Sequence, residues 1–168
     1  QTPLDETMYN YQKVGSNWLY QYWNEGLGAI LADEMGLGKT LQTISFLTKI
    51  EITYELPALI VAPNSLLINW QREIKKFYPN FSSIIHQGTN RFASASDFNR
   101  YHVVITTYDT VVRDLSILKM KNWKVVVADE AHKIKNPNAT RTRSIKSLNT
   151  NCCFAITGTP FENSLDDI

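Results

Sequence analysis

Two features of this chain are suited to chemistry by residue type and spacing: a lysine and a threonine directly after a glycine-rich turn, and two adjacent carboxylates closing an apolar run. The first lies in ILADEMGLGKTLQTI (30–44). A short apolar run there gives way to a turn containing Gly36 and Gly38, and a helical pattern resumes at Lys39 and Thr40, which reads as strand, tight loop and helix. The first N–H groups of a helix point outward and carry partial positive charge, so the junction is built to hold an anion, and Lys39 adds a full charge beside it. The expected guest is a polyphosphate. The strict phosphate-loop pattern has a glycine where this chain has Asp33, so only the G-x-G-K-T half is intact. A plain turn between a strand and a helix is the simpler alternative.

The second feature is VVVADEAH (125–132). Placing Asp129 and Glu130 at the end of an apolar strand is costly unless a cation or substrate compensates, and solvated acids at a strand end are the alternative. With a phosphate loop earlier in the same chain, Asp129 is expected to hold Mg²⁺, through water, with the Thr40 hydroxyl as a further ligand. Glu130 is then placed to orient and deprotonate the attacking water.

These residues have to be positioned by a scaffold. Met8, Tyr11, Val14, Trp18, Leu19 and Tyr22 recur at helical spacing over residues 8–25, ahead of Gly26 and Gly28, and predict an amphipathic helix. Strands are predicted at GAILA (28–32), ALIVA (58–62), SSIIH (82–86), HVVIT (102–106), KVVVAD (124–129) and CCFAIT (152–157). Apolar runs alternating with segments able to form helices predict an α/β fold, a mostly parallel sheet with helices on both faces. The polar clusters follow the apolar runs, so the chemistry collects at the carboxyl ends of the strands. There is no internal repeat, low-complexity tract or linker, and residues 1–168 read as a single domain. The closing ENSLDDI begins a helix pattern and stops, which is expected of a piece of a longer protein.

Composition narrows the partners. With 43% hydrophobic and 20% charged residues the chain can build a core, and disorder is excluded. A net charge of +1 gives no global field toward nucleic acid or an acidic membrane, so any such binding has to be local. Cys152 and Cys153 are adjacent in an apolar run and read as core thiols in a reducing compartment. No membrane-spanning run or secretion signal is present, so an intracellular protein without membrane contact is expected, in the nucleoid or the nucleus according to the organism. Trp18, Trp23, Trp70 and Trp123 read as core or half-buried residues without a binding role, and His86 and His102 as strand-end residues.

The blocks YQKVGSNWL (11–19), LADEMGLGKTLQTI (31–44), LIVAPNSLLINWQREIKKF (59–77), VITTYDTV (104–111), VVVADEAHKIKNPNA (125–139) and AITGTPFENSLDDI (155–168) together resemble the first RecA-like lobe of helicase superfamily two ATPases, specifically the Swi/Snf family of DNA-translocating remodellers. The resemblance spans nearly the whole chain, and DEMGLGKT is how that family usually writes its phosphate loop. It implies a P-loop NTPase lobe that binds ATP and Mg²⁺ and works on double-stranded DNA against a second RecA-like lobe in the same chain, with a protein–DNA complex as a possible target. It further implies that Gln12 reads the adenine edge and that Asp33, Glu34, Met35, Gly36, Leu37, Gly38, Lys39 and Thr40 cradle the nucleotide. His132, Thr157 and Thr159 would couple the nucleotide site to the TGTP segment. Contacts to the DNA backbone are expected from three segments: APNSL through Pro63, Asn64 and Ser65, TTYD through Thr106, Thr107 and Tyr108, and TGTPFEN through Gly158 and Asn163. Backbone N–H groups and short polar side chains can hold phosphates without a basic field. Arg72, Lys75 and Lys76, and Lys133, Lys135, Arg141 and Arg143, could assist or simply solvate a helix face. A strand-separating helicase is the rival enzyme, disfavoured by the TGTP segment. A nucleotide-binding scaffold without turnover is the rival of another class, disfavoured by the intact Lys39, Thr40, Asp129 and Glu130.

Overall fold

Six apolar runs form one sheet in the computed structural model, which describes residues 30–32, 39–129 and 140–157. The strands are β1 (Ile30–Ala32), β2 (Ala58–Val61), β3 (Ser83–Ile85), β4 (Val103–Thr106), β5 (Val125–Asp129) and β6 (Cys153–Thr157). Each is slightly shorter than the run that announces it. Every pairing is parallel, and the spatial order is β1-β6-β5-β2-β4-β3. The helix expected over residues 8–25 lies outside the described residues.

The order of the strands explains the layering. From β1 to β2 to β3 the chain moves one way across the sheet, and from β3 through β4 and β5 to β6 it moves back. Parallel crossovers are right-handed, so reversing the direction of travel puts the later connections on the opposite face. The early connections contain α1 (Lys39–Leu47) and α2 (Leu67–Phe77); the later ones contain a 3₁₀ segment (Ala95–Arg100), α3 (Tyr108–Arg113), α4 (Leu115–Leu118) and α5 (Thr140–Lys146). Two cores result. Ile44 and Leu47 of α1 and Trp70 and Ile74 of α2 pack on Ala58, Ile60, Val103, Ile105, Val125 and Val127. On the other face Phe98, Tyr108, Val111, Leu118 and Ile145 pack on Leu59, Val61, Val104, Val126 and Ala128. Successive residues of each strand serve opposite cores, as the period-two alternation of a strand requires.

Local sequence accounts for the helices. In α2, Leu67, Trp70 and Ile74 are buried at helical spacing, whereas Ile68, Asn69, Arg72, Lys75 and Lys76 are exposed. Lys75 and Lys76 stand in its last turn, where cations oppose the negative end of the helix dipole. Thr107 caps α3: its backbone is extended and its hydroxyl oxygen accepts the Thr110 N–H at 3.1 Å. Residues 42–47 of α1 are all buried, so that helix has no free face from its first turn onward.

Candidate nucleotide site and adjoining cleft

The carboxyl end of the sheet brings the predicted chemistry together. In the register, Asp129 of β5 lies level with Ile156 of β6, and Ile156 with Leu31 of β1. Neighbouring strands are about 4.8 Å apart, so the end of β5 is roughly 10 Å from the strand that leads into Lys39 and Thr40. Lys39 opens α1, and Thr40, partly buried, follows in its first turn. Ala32, the last residue of β1, is paired with Thr157, the last of β6. Asp33, Glu34, Met35, Gly36, Leu37 and Gly38 lie outside the described residues, as do Gln12, Glu130, His132, Gly158, Thr159 and Asn163.

Asp129 is 1% exposed. It follows Val125 and Val127 on the face covered by α1 and α2, and there its Oδ2 accepts the indole N–H of Trp70 at 2.8 Å. Its main-chain carbonyl accepts the hydroxyl of Tyr108, which packs on the opposite face. A carboxylate buried this deeply and aligned by a donor is a hard oxygen ligand, of the kind Mg²⁺ takes beside waters and substrate phosphates. Among the described residues no group of three His, Cys, Asp or Glu side chains could hold a metal ion unaided.

Beside this end of the sheet a cleft of about 460 Å³ opens beyond the carboxyl ends of β2, β3 and β4. Pro63, Asn64, Gln87, Gly88, Asp109 and Arg113 are among its lining residues. Asn64 and Ser65 are exposed, and Gly88 turns the chain with a φ of +63°. Across one side Arg141 donates to Asp109 Oδ1 from Nη2 at 2.7 Å and from Nε at 3.0 Å, an exposed pair that sets the wall without adding much stability.

The hydroxyls of the TTYD segment are engaged within the protein. Thr106 is fully buried and donates to the His86 carbonyl at 2.7 Å, and Thr107 caps α3 while donating to Thr110 Oγ1 at 2.8 Å. Tyr108 is 7% exposed, with its hydroxyl on Asp129. Thr107 and Tyr108 nonetheless line the cleft, whereas Thr106 is buried behind it. Pro63 and Asn64, of the predicted set, line it as well, and Ser65 is exposed next in the chain.

Two residues given no role by the sequence, Trp70 and His86, prove to be connected, and Tyr108 gains a partner that the sequence did not name. Trp70 is a core residue, as expected, but it is also the donor to Asp129. The signal was available in principle, because a buried indole N–H needs an acceptor. Tyr108 is its counterpart on the carbonyl. His86, expected as a strand-end residue, is completely buried: its Nδ1 accepts the Phe92 N–H at 3.0 Å, and its Nε2 lies 2.8 Å from Asp114 Oδ2. Accepting at Nδ1 leaves the proton on Nε2, so a neutral imidazole donates to the carboxylate. Burial lowers the pKa of His86, opposed by the hydrogen bond and charge of Asp114. The cysteines are as expected: Cys152 is buried and its thiol pushed up to about 12, and Cys153 to about 11, chiefly by desolvation.

Comparison with known proteins agrees with this geometry. Residues 11–168 match the SNF2-related domain family. A Plasmodium falciparum protein named "Probable ATP-dependent helicase" is 42% identical over 172 residues, covering 98% of this chain and 8% of its own. The helicase SWR1 of Saccharomyces cerevisiae is 42% identical over 165 residues, covering 94% of this chain and 11% of its own. The Sulfolobus solfataricus SWI2/SNF2 ATPase core in complex with dsDNA superposes with a TM-score of 0.82 at 37% identity, over 95% of this chain and 33% of that one. The same core domain solved separately gives 0.77 at 37% identity. This chain thus spans about a tenth of the curated relatives and about a third of the structural ones.

Proposed function

Because the chain belongs to the SNF2-related domain family and has its RecA-like α/β fold, we propose that it is the ATP-binding and hydrolysing lobe of a two-lobe, Swi/Snf-type translocase on double-stranded DNA. The observation that carries this reading is the buried Asp129 carboxylate, held level with the strand that feeds Lys39 and Thr40. Lys39 and the N-terminus of α1 bind the β- and γ-phosphates, and Gln12 holds the adenine edge. Thr40 and Asp129 hold Mg²⁺, which when bound supplies positive charge against the phosphate oxygens. Glu130 accepts the proton of the attacking water. His132, Thr157 and Thr159 link the nucleotide to the following segment, and residues 1–168 act as one lobe of a longer protein. Duplex DNA is held by its backbone, through Pro63, Asn64 and Ser65, through Thr107 and Tyr108 where they line the cleft, and through Gly158 and Asn163, with the buried Thr106 behind that wall. Two neighbours, a SWI2/SNF2 ATPase core in complex with dsDNA and the helicase SWR1, support duplex DNA as the partner.

Substituting Glu130→Gln in a protein containing both lobes keeps the shape of the side chain but removes its basicity. ATP affinity is expected to stay within about twofold while hydrolysis falls by a factor of about 10² to 10⁴. Equal loss of binding and turnover would contradict the role. This chain alone should release phosphate slowly and with little response to duplex, because the arginines that meet transition-state charge in such ATPases come from the other lobe and are worth about 10³ or more in rate. Turnover by the short chain equal to that of the two-lobe protein would refute the arrangement.

A further inference from the structure

Both hydrogen bonds described at Asp129 come from segments that border the cleft. Trp70 lies in the first turns of α2, which follows Asn64 and Ser65 without a break, and Tyr108 opens α3 directly after β4 and Thr107. One reaches the carboxylate from the α1/α2 face, and the other reaches the carbonyl from the α3 face. We propose that Trp70 and Tyr108 are positioning residues that fix Asp129 for Mg²⁺ and make its placement depend on the two loops that line the cleft. The inference rests on the reading of Asp129 as a metal-holding residue.

The physical argument concerns orientation. A carboxylate can turn about its last bond, and a metal that must stop this rotation binds more weakly than one that meets it already stopped. The indole N–H on Oδ2 restrains that rotation. The Tyr108 hydroxyl holds the carbonyl of the peptide that leads out of β5, so the backbone carrying the carboxylate is held as well. Packing alone asks for neither polar atom: phenylalanine at 70 or 108 would keep the ring against Ile60 and Val127, or against Val126 and Ala128. The donors also join elements on opposite faces of the sheet to one residue. A ligand that shifts the Asn64 loop or the β4–α3 turn shifts a donor to Asp129 with it.

The test measures metal dependence apart from turnover. Fluorescent ADP is titrated into this chain at stepped Mg²⁺ concentrations and in EDTA, for the wild type, Trp70→Phe, Tyr108→Phe, Asp129→Asn and Trp70→Phe with Asp129→Asn. Trp70→Phe is expected to raise the Mg²⁺ concentration at half-effect about tenfold, the low end of what loss of an orienting partner costs a metal site, and to leave affinity in EDTA unchanged. Tyr108→Phe should raise it severalfold. Adding Trp70→Phe to Asp129→Asn should change nothing more, because the two act as a unit. A wild-type Mg²⁺ requirement in Trp70→Phe, with a raised one in Asp129→Asn, overturns this inference alone. An unchanged requirement in Asp129→Asn overturns the metal reading and the inference with it. Should Trp70→Phe fail to fold, the indole ¹H–¹⁵N signal of Trp70 in the wild type decides. It must move on adding Mg²⁺ with ADP and stay in place in Asp129→Asn, and a signal unmoved in the wild type overturns the proposal.

Discussion

A charged side chain inside a protein has to be met by a donor, a counter-ion or a shift to its neutral form, and the residues near the sheet ends show two of these solutions. Asp129 takes the indole of Trp70, whereas His86 stays neutral between Phe92 and Asp114. The second has a measurable consequence. With the pKa of the folded imidazole lowered by burial, the unfolded chain binds a proton where the folded one does not, so stability falls as pH drops from about 6.5 toward the lowered value. His102, also lowered by burial, acts in the same sense. Urea midpoints are expected to fall between pH 7.5 and 5.5, and to fall less in His86→Gln; a midpoint rising on acidification would contradict the assignment. Lys39 provides a test of the phosphate site. Removing its charge in Lys39→Ala should weaken ATP by about 10- to 100-fold, the range of a hydrogen bond to a charged group. Unchanged affinity in an ATP titration would mean that the junction of β1 and α1 does not hold the phosphates.

At the scale of elements, α3 shows how a short helix depends on its first residue. Thr107 supplies the cap, and replacing it by alanine removes both the bond to the Thr110 N–H and the hydroxyl contact to Thr110. A loss of about 1 kcal/mol is expected, and a melting temperature lower by about 2–4 °C for a chain of this size. Thr107→Ser should recover most of it in the same thermal scan. All six strands were legible in the sequence, because fully buried parallel strands are written as unbroken apolar runs such as VVVAD and ALIV. Around the candidate site, local order announced the apolar strand ahead of Lys39 and Thr40 and the one that ends at Asp129, and both strands form. What could not be read was pairing over distance. Trp70 and Asp129 are 59 residues apart, and nothing near either names the other. Nor does the TTYD segment name the distant partners of its hydroxyls, the His86 carbonyl for Thr106 and the Asp129 carbonyl for Tyr108.

For the molecule as a whole, the near-neutral charge sets the character of any grip on DNA. With a net charge of +1, few lysines or arginines can release counterions, so duplex binding by this chain should be weak, indifferent to base sequence and shallow in its salt dependence. Fluorescence anisotropy with scrambled duplexes from about 50 to 200 mM salt measures this, and tight binding to one sequence would oppose the proposed role. The sheet order also governs how the molecule comes into being. Among the described residues β6 is the one neighbour of β1, so the strand that precedes Lys39 pairs with the last strand described. During synthesis β6 follows β1 off the ribosome by about 120 residues, a lag on the order of ten seconds at ordinary elongation rates. The emerging polypeptide therefore carries the segment proposed to hold the phosphates long before β1 gains β6 beside it. If that segment binds nucleotide as proposed, nucleotide capture becomes a signal that β6 has arrived.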